Sequence, residues 1–243
     1  MKHVAFLLGL AALALTAPAA MAQQAGSQAD RPVVVELFTS QGCSSCPPAD
    51  RVVENLAGRD DVIALSFNVD YWDYIGWKDT LASPEYTRRQ YAYASAMDER
   101  RVYTPQIVID GAMHVVGSDR YAVADGIEQQ RKVHPSLPVT LERAGDKVTV
   151  KVGEGAVSGP ATIWLVQYDN RHEVEIGRGE NAGRTITYAN VARTLTKLGE
   201  WKGKAMQLDL DSPTHDGCVV MVQQGTHGPV LGAARLRVTP GAS

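Results

Sequence analysis

The 243-residue chain carries 24 Lys and Arg against 27 Asp and Glu, a net charge of −3 with both signs interspersed along its length. That balance gives no footprint for nucleic acid or for an anionic membrane surface. Three cysteines are too few to staple a chain of this size, so packed hydrophobic cores must hold the fold.

At the N-terminus Lys2 and His3 precede the apolar run Val4 to Leu15, followed by Ala20-Met21-Ala22. A positive start, an apolar centre and a small-x-small end predict a signal peptide over residues 1–22, cleaved after Ala22, and a periplasmic or secreted protein. The run is short for a bilayer span and no later stretch approaches about 20 apolar residues, so no membrane span is expected. In an oxidising compartment a close cysteine pair is expected as a disulfide unless something reduces it.

The apolar run Val33 to Phe38 predicts a first strand, and Cys43-Ser44-Ser45-Cys46 follows it at once. Pro47 and Pro48 suit a first helical turn, with Val52, Val53 and Leu56 continuing the helix to Ala57. Val62 to Val69 is a near-continuous apolar run of the kind a doubly covered parallel strand needs. Ser83 is placed to cap a helix from Pro84 to about Met97. Gln106 to Ile109 and Met113 to Val116 flank the hairpin signal Asp110-Gly111, and Ser118 or Asp119 opens a last helix reaching Lys132. The order β-α-β-α-β-β-α is the thioredoxin topology, expected over residues 31–134.

Pro135 and Pro138 mark a linker, after which the pattern changes. Val139 and Leu141, then Val148, Val150 and Val152, then Ile163 and Leu165, then Val219 to Val222 form short runs split by turns such as Ala144-Gly145-Asp146. That spacing predicts an antiparallel β-domain, sandwich-like, over residues 136–240. The fold class is therefore α/β, with a thioredoxin-like domain followed by a smaller antiparallel β-domain.

A strand, a CxxC and a helix in succession form a redox arrangement. Cys43, just ahead of the helix, is expected to be the exposed attacking thiol, its thiolate favoured by the helix dipole. Cys46, one turn inside, is expected to be less exposed and to resolve the mixed disulfide. The bland alternative is a structural disulfide closing a turn. Thr104-Pro105 precedes a strand, where a cis bond would turn the chain and present the backbone of Thr104 to an extended substrate. Glu36 is an acid inside an apolar strand; buried, its pKa would rise and it would take the proton of Cys46, whereas at an edge it would stay solvated.

Asp70 to Trp77 is dense in aromatics, and Tyr71, Trp72 and Trp77 are candidates for the floor of a substrate groove, or alternatively cover for the core. Asp70 and Asp73 are candidate cation ligands, although no spacing demands it. The glycine-rich loop Gly177 to Arg184 reads first as a turn packing on the other domain. Cys218 reads as a buried small hydrophobe. His114 is the one histidine placed near the dithiol sheet.

The segment Glu36 to Asp50 resembles the signature of domain-of-unknown-function family 1223. So do Asn68-Val69-Asp70-Tyr71-Trp72-Asp73, Tyr103-Thr104-Pro105-Gln106, and Arg178-Gly179-Glu180-Asn181 with Gly183-Arg184. The resemblance covers essentially the whole mature chain and implies an exported bacterial protein with a thioredoxin-like domain. By wider resemblance to thioredoxins, Cys43 matches the attacking thiol, Cys46 the resolving thiol and Pro105 the cis-proline. Glu36 matches the buried acid if one extra residue is allowed. The Ser44-Ser45 dipeptide departs from the Gly-Pro of thioredoxins and from the histidine-containing pairs of strong oxidases.

The expected function is an exported thiol–disulfide oxidoreductase of restricted substrate, needing no cofactor and no resident metal, with a protein or small thiol as redox partner. Two alternatives stay open. Cys43 and Cys46, joined by His114, would suit Cu(I) handling. A non-catalytic binding module would keep the groove and leave the dithiol idle.

Overall fold

A computed structural model of the chain describes residues 31–133 and 137–238. The leader with its cleavage point, and Pro135 of the linker, lie outside the described residues.

Two strands, β1 (Val33–Thr39) and β2 (Val62–Asn68), form the centre, and every residue of both is buried. They pair in parallel from Val33 with Val62 to Thr39 with Asn68. Strand β3 (Gln106–Ile109) runs antiparallel to β1, and β4 (Met113–Val116) closes the hairpin with β3. Because side chains alternate along a strand, Val33, Val35 and Leu37 face one core while Val34 and Phe38 face another. Helices α1 (Pro47–Ala57) and α3 (Arg120–Val133) cover the first face with Ala49, Val53, Leu56, Val123 and Ile127. On the second face lies α2 (Pro84–Ala96), through Tyr86 and Tyr93.

Local chemistry sets the helix starts. Prolines occupy the first turn of α1, where the missing N–H would have had no helical partner. The Ser83 hydroxyl accepts from the Glu85 N–H (3.2 Å) ahead of α2. Asp119 accepts from the N–H groups of Tyr121 and Ala122 (3.1 and 3.0 Å) ahead of α3.

The strands of the second half divide between two sheets. Strands β5 (Val139–Ala144), β6 (Lys147–Val152) and β9 (Met206–Asp211) make a small antiparallel sheet. Four others extend the central one: β7 (Ala161–Glu175), β8 (Thr185–Trp201), β10 (Gly217–Gln224) and β11 (Val230–Arg237). The result is an eight-stranded mixed sheet in the order β11-β10-β7-β8-β2-β1-β3-β4. β8 meets β2 where Ser66 pairs with Val191. There the Ser66 hydroxyl donates to the Ala189 carbonyl (2.9 Å) and the Asn190 amide donates to the Ala64 carbonyl (2.8 Å).

The large sheet bends back on itself. The Val230 N–H on β11 donates to the Asp110 carbonyl at the β3–β4 turn (2.7 Å), and Val219, Met221 and Val230 share the core of Phe38 and Phe67. Leu137, Val150 and Val152 pack against Ile163, Trp201, Val220 and Val222 between the two sheets. Among the described residues no helix is long and apolar enough to cross a membrane.

Candidate functional site

At the C-terminal end of β1 the chain leaves the sheet at Thr39 and turns through Ser40–Ser45 into α1. Cys43 and Cys46 are joined by a disulfide with their Cα atoms 5.4 Å apart. The turn is tight: the Cys43 N–H donates to the Ser40 carbonyl (3.2 Å) and the Cys46 N–H to the Cys43 carbonyl (3.1 Å). Cys46 caps α1, its carbonyl accepting from the N–H groups of Ala49 and Asp50 (2.8 and 3.1 Å).

The expected contrast between an exposed Cys43 and a shielded Cys46 does not hold. Both cysteines are 0% exposed, and only Ser44 and Ser45 of the motif reach solvent. The reason lies in the second half of the chain. Asn181, in the loop between β7 and β8, donates from its side-chain amide to the carbonyls of both Gln41 and Cys43 (2.9 Å each). Its own oxygen accepts from Arg184 (3.1 Å), and Glu180 accepts from the Ser44 N–H (3.3 Å). The glycine-rich loop therefore packs on the dithiol turn itself. Above the sulfur of Cys43 sits the exposed Ser45, its hydroxyl 3.4 Å away.

Inner supports complete the turn. Asp79 accepts from the Gln41 N–H (2.7 Å) and from the Asn68 amide (3.0 Å). The Trp77 indole N–H donates to the Gln41 side-chain oxygen (2.8 Å). A Cβ on Gly42 would sit 3.0 Å from Ile75 Cδ1 and 3.1 Å from Trp72 Cβ, so a side chain here would press on the aromatic segment.

The Thr104–Pro105 peptide bond is cis. Gln106 pairs with Phe38, which carries Pro105 alongside Thr39 at the start of the dithiol turn. The Trp72 indole donates to the Thr104 hydroxyl (2.8 Å), and Tyr74, 81% exposed, stacks on Trp72 with ring centroids 6.4 Å apart. Trp72, Tyr74 and Thr104 thus form one surface next to the dithiol turn. Tyr71 and Trp77 do not join it: Tyr71 donates to Gln90 (3.2 Å) against the core, and Trp77 is held between Gln41 and the glycine-rich loop at Gly177.

Glu36 is buried, but not at the dithiol. It points to the face covered by α2, where Arg89 grips both carboxylate oxygens and the Tyr93 hydroxyl donates to it. Cys46 and α1 lie across the sheet, so the pairing of Glu36 with the Cys46 proton is corrected. The buried acid on the dithiol side is Asp50, 1% exposed, on α1. One carboxyl oxygen accepts from the Thr39 hydroxyl (2.7 Å); the other, Oδ2, has no partner. Burial pushes its pKa up from 3.8 to about 8, the Thr39 hydrogen bond opposing the shift in part. Burial likewise raises Asp79.

The remaining candidates are engaged elsewhere. Asp70 accepts from the Thr87 hydroxyl on α2 (2.5 Å) and Asp73 from the Asp79 N–H (3.0 Å). His114 is bound to the Tyr103 hydroxyl (2.9 Å) and lies 3.3 Å from Glu99, not beside the cysteines. Among the described residues no three His, Cys, Asp or Glu side chains converge to hold a metal. Cys218 is buried and unpaired, and burial pushes its thiol up to about 11.

Sequence reasoning passed over Asn181, Asp50 and Asp79. Asn181 stands inside one of the segments that carry the family resemblance, and Asp50 closes another. The signal for Asp50 was its spacing, four residues past Cys46 and three before Val53, which puts an acid on the helix face that packs inward.

A family model described as "Protein of unknown function (DUF1223)" matches residues 34–223. Among solved structures, protein AGR_C_4864 from Agrobacterium tumefaciens is similar at 33% identity over 87% of this chain and 96% of its own, with a TM-score of 0.77. HBP35 of Porphyromonas gingivalis shares the fold at 12% identity, with a TM-score of 0.59 over 88% of this chain and 78% of its own. No curated protein matches the chain significantly. With its family signature, the disulfide turn and its buried supports in one continuous match, the chain belongs to the DUF1223 family.

Proposed function

We propose that this protein is an exported thiol–disulfide oxidoreductase built on a thioredoxin-like unit, residues 31–134, with the β-rich remainder, residues 136–240, covering its dithiol. The observation that carries the reading is the Cys43–Cys46 disulfide at a strand–helix junction with cis Thr104–Pro105 alongside it. Export is supported by the leader pattern of residues 1–22.

In the exchange, a partner thiolate attacks the Cys43 sulfur and the Cys43–Cys46 bond breaks, its electron pair passing to Cys46. The mixed disulfide on Cys43 is resolved when a second partner thiolate attacks the partner's own sulfur, which expels the Cys43 thiolate and leaves the partner oxidised and the dithiol reduced. In the opposite direction the Cys43 thiolate attacks a partner disulfide, and the Cys46 thiolate then attacks Cys43 and expels the reduced partner. The N-terminus of α1 stabilises the negative sulfur of Cys46 at its cap. Access to Cys43 is from the side of Ser45, the exposed residue above its sulfur. The Trp72, Tyr74 and Thr104 surface supplies the contact for a protein or small-thiol partner. Burial of both sulfurs favours a restricted partner over general exchange, since the turn must yield before the attack.

The test is a redox titration of the purified mature protein against a glutathione series, with free thiols trapped and counted. A reversible two-electron transition between about −270 and −120 mV is expected. A disulfide that stays closed throughout, in a folded protein, would make it a structural bridge and leave a binding module as the function.

A further inference from the structure

Beside the disulfide turn runs a cleft that disulfide exchange alone leaves without a role. Its volume is about 510 Å³, on the scale of small-ligand sites. One wall is α1, with Pro47, Arg51 and Glu54; the other is the chain entering β8, with Arg184, Thr185 and Thr187. Both halves of the protein therefore build it. One end lies at the turn. Pro47 follows Cys46 directly, and Arg184 donates to the oxygen of Asn181 (3.1 Å), whose amide holds the Cys43 carbonyl. At the other end Arg171 on β7 ties the two walls together, donating to Glu54 on α1 (2.9 Å) and to Thr187 on β8 (3.2 Å).

The charges along the cleft are unevenly used. Arg171 is shared between Glu54 and Glu173, so those three groups compensate one another. Among the described residues Arg51 makes no ion pair, and the Arg184 side chain donates only to the neutral Asn181. Both arginines are exposed, so two uncompensated cations line one cleft. An anion between them relieves their repulsion, and the planar guanidinium fork suits a carboxylate. The cleft also sets the length of that anion. From Pro47 to Glu54 the helix rises about 10 Å, which is roughly the reach of an extended tripeptide.

We propose that the cleft between α1 and β8 seats a short thiol bearing carboxylates, such as an acidic thiol tripeptide. The assignment rests on the disulfide-exchange reading and names the chemistry of its partner. Carboxylates on Arg184 and Arg51 leave the thiol at the turn, since Arg51 stands about 7.5 Å along the helix from Cys46. One thiolate attacks Cys43, the S–S bond breaks and its electron pair passes to Cys46. A second thiolate attacks the sulfur of the bound thiol and expels Cys43. Two thiols become one disulfide, and their two protons end on Cys43 and Cys46.

The experiment measures opening of the disulfide in the mature protein by acetyl-Cys-Glu-Glu-amide and by its neutral twin acetyl-Cys-Gln-Gln-amide, as rates per thiolate. The ratio of the two cancels any change in how readily the turn opens. Wild type should favour the acidic peptide about tenfold at low salt, each exposed guanidinium contributing about threefold. The preference should fade toward one as salt rises from about 0.01 to about 1 M and the screening length shrinks from about 30 to about 3 Å. Arg51→Gln should cut it about threefold, Arg51→Lys by less, and the double variant Arg51→Gln/Arg184→Gln should bring it near one. A wild-type ratio near one, or a ratio that both substitutions leave unchanged, would overturn the assignment while leaving exchange intact. Lengthening the acidic tail to six glutamates should add less than about twofold. A continuing rise would indicate an acidic protein segment and overturn the short ligand. If neither peptide opens the disulfide, the exchange reading fails, and the S-methylated acidic peptide still tests the cleft. Arg51 and Arg184 side-chain NMR signals that move on its addition support a carboxylate seat, and signals that stay refute it.

Discussion

Replacing Asn181 with alanine should loosen the dithiol turn by an amount the structure lets one work out. The side-chain amide is the donor to two carbonyls, those of Gln41 and Cys43, both in buried surroundings. Each carbonyl left without a donor costs about 1 to 3 kcal/mol, depending on whether water can enter. The alanine truncation admits some water, so a combined loss of about 2–4 kcal/mol is expected. For a protein of this size that lowers Tm by roughly 5–12 °C. The same loss favours the open turn, and 2 kcal/mol raises its population about 30-fold. Reduction of the disulfide by dithiothreitol, followed by quenched thiol trapping, should therefore accelerate by that order while the protein becomes less stable. Asn181→Asp, which keeps the size and removes the donor, should act in the same direction. If stability falls but the reduction rate stays within twofold, Asn181 holds the fold without guarding the sulfurs, and the reasoning is refuted.

Four further outcomes are expected. Because the pKa of Asp50 rises from 3.8 to about 8 on folding, the native protein holds an extra proton between those limits, and stability falls as pH climbs through that window. The slope is at most about 1.4 kcal/mol per pH unit, and urea unfolding from pH 5 to 8 should show it in wild type and not in Asp50→Asn; equal slopes would contradict it. Glu36→Gln should cost about 3–5 kcal/mol by leaving the Arg89 guanidinium buried and unpaired, with Glu36→Leu/Arg89→Met recovering much of it. Neither change should slow disulfide exchange in the folded protein, and a slowed exchange would restore Glu36 to the dithiol. Cys218 should resist alkylation in the native oxidised protein and react once the chain is unfolded, as mass spectrometry would read. His227, lowered to about 4 by burial and then by the Arg89 charge, should titrate upward in Arg89→Met by NMR.

The parts of the fold that follow from short-range pattern were readable in the chain. The continuous apolar runs of β1 and β2 announce strands covered on both faces, and Ser83, Asp119 and the paired prolines mark helix starts. What was not readable is partnership across distance. An acid in a strand looks the same whether it faces a thiol or a guanidinium 53 positions away, and only the pleat decides that Glu36 meets Arg89. The burial of Cys43 likewise depends on a loop 138 residues downstream, whose glycine-rich composition speaks of turns but not of what they touch. The joining of the late strands to the central sheet rests on β8, 17 residues long, which pairs with β7 along one edge and meets β2 at Val191 along the other.

That meeting of β8 with β2 has a consequence for anyone dissecting the protein. Residues 31–133 alone would present β2 as a bare outer strand, largely apolar and stripped of the Ala189 carbonyl and the Asn190 side chain that meet Ser66 and Ala64. Such an edge is a template for pairing with another copy, and the excised half should assemble into aggregates rather than behave as a small soluble redox unit. It would also lack the contacts of Asn181 and Glu180 with the disulfide turn, and reduction of that disulfide by dithiothreitol should be faster in it than in the intact chain. The shielding of the disulfide is in this sense a property of the whole chain, and experiments on it belong with the intact molecule.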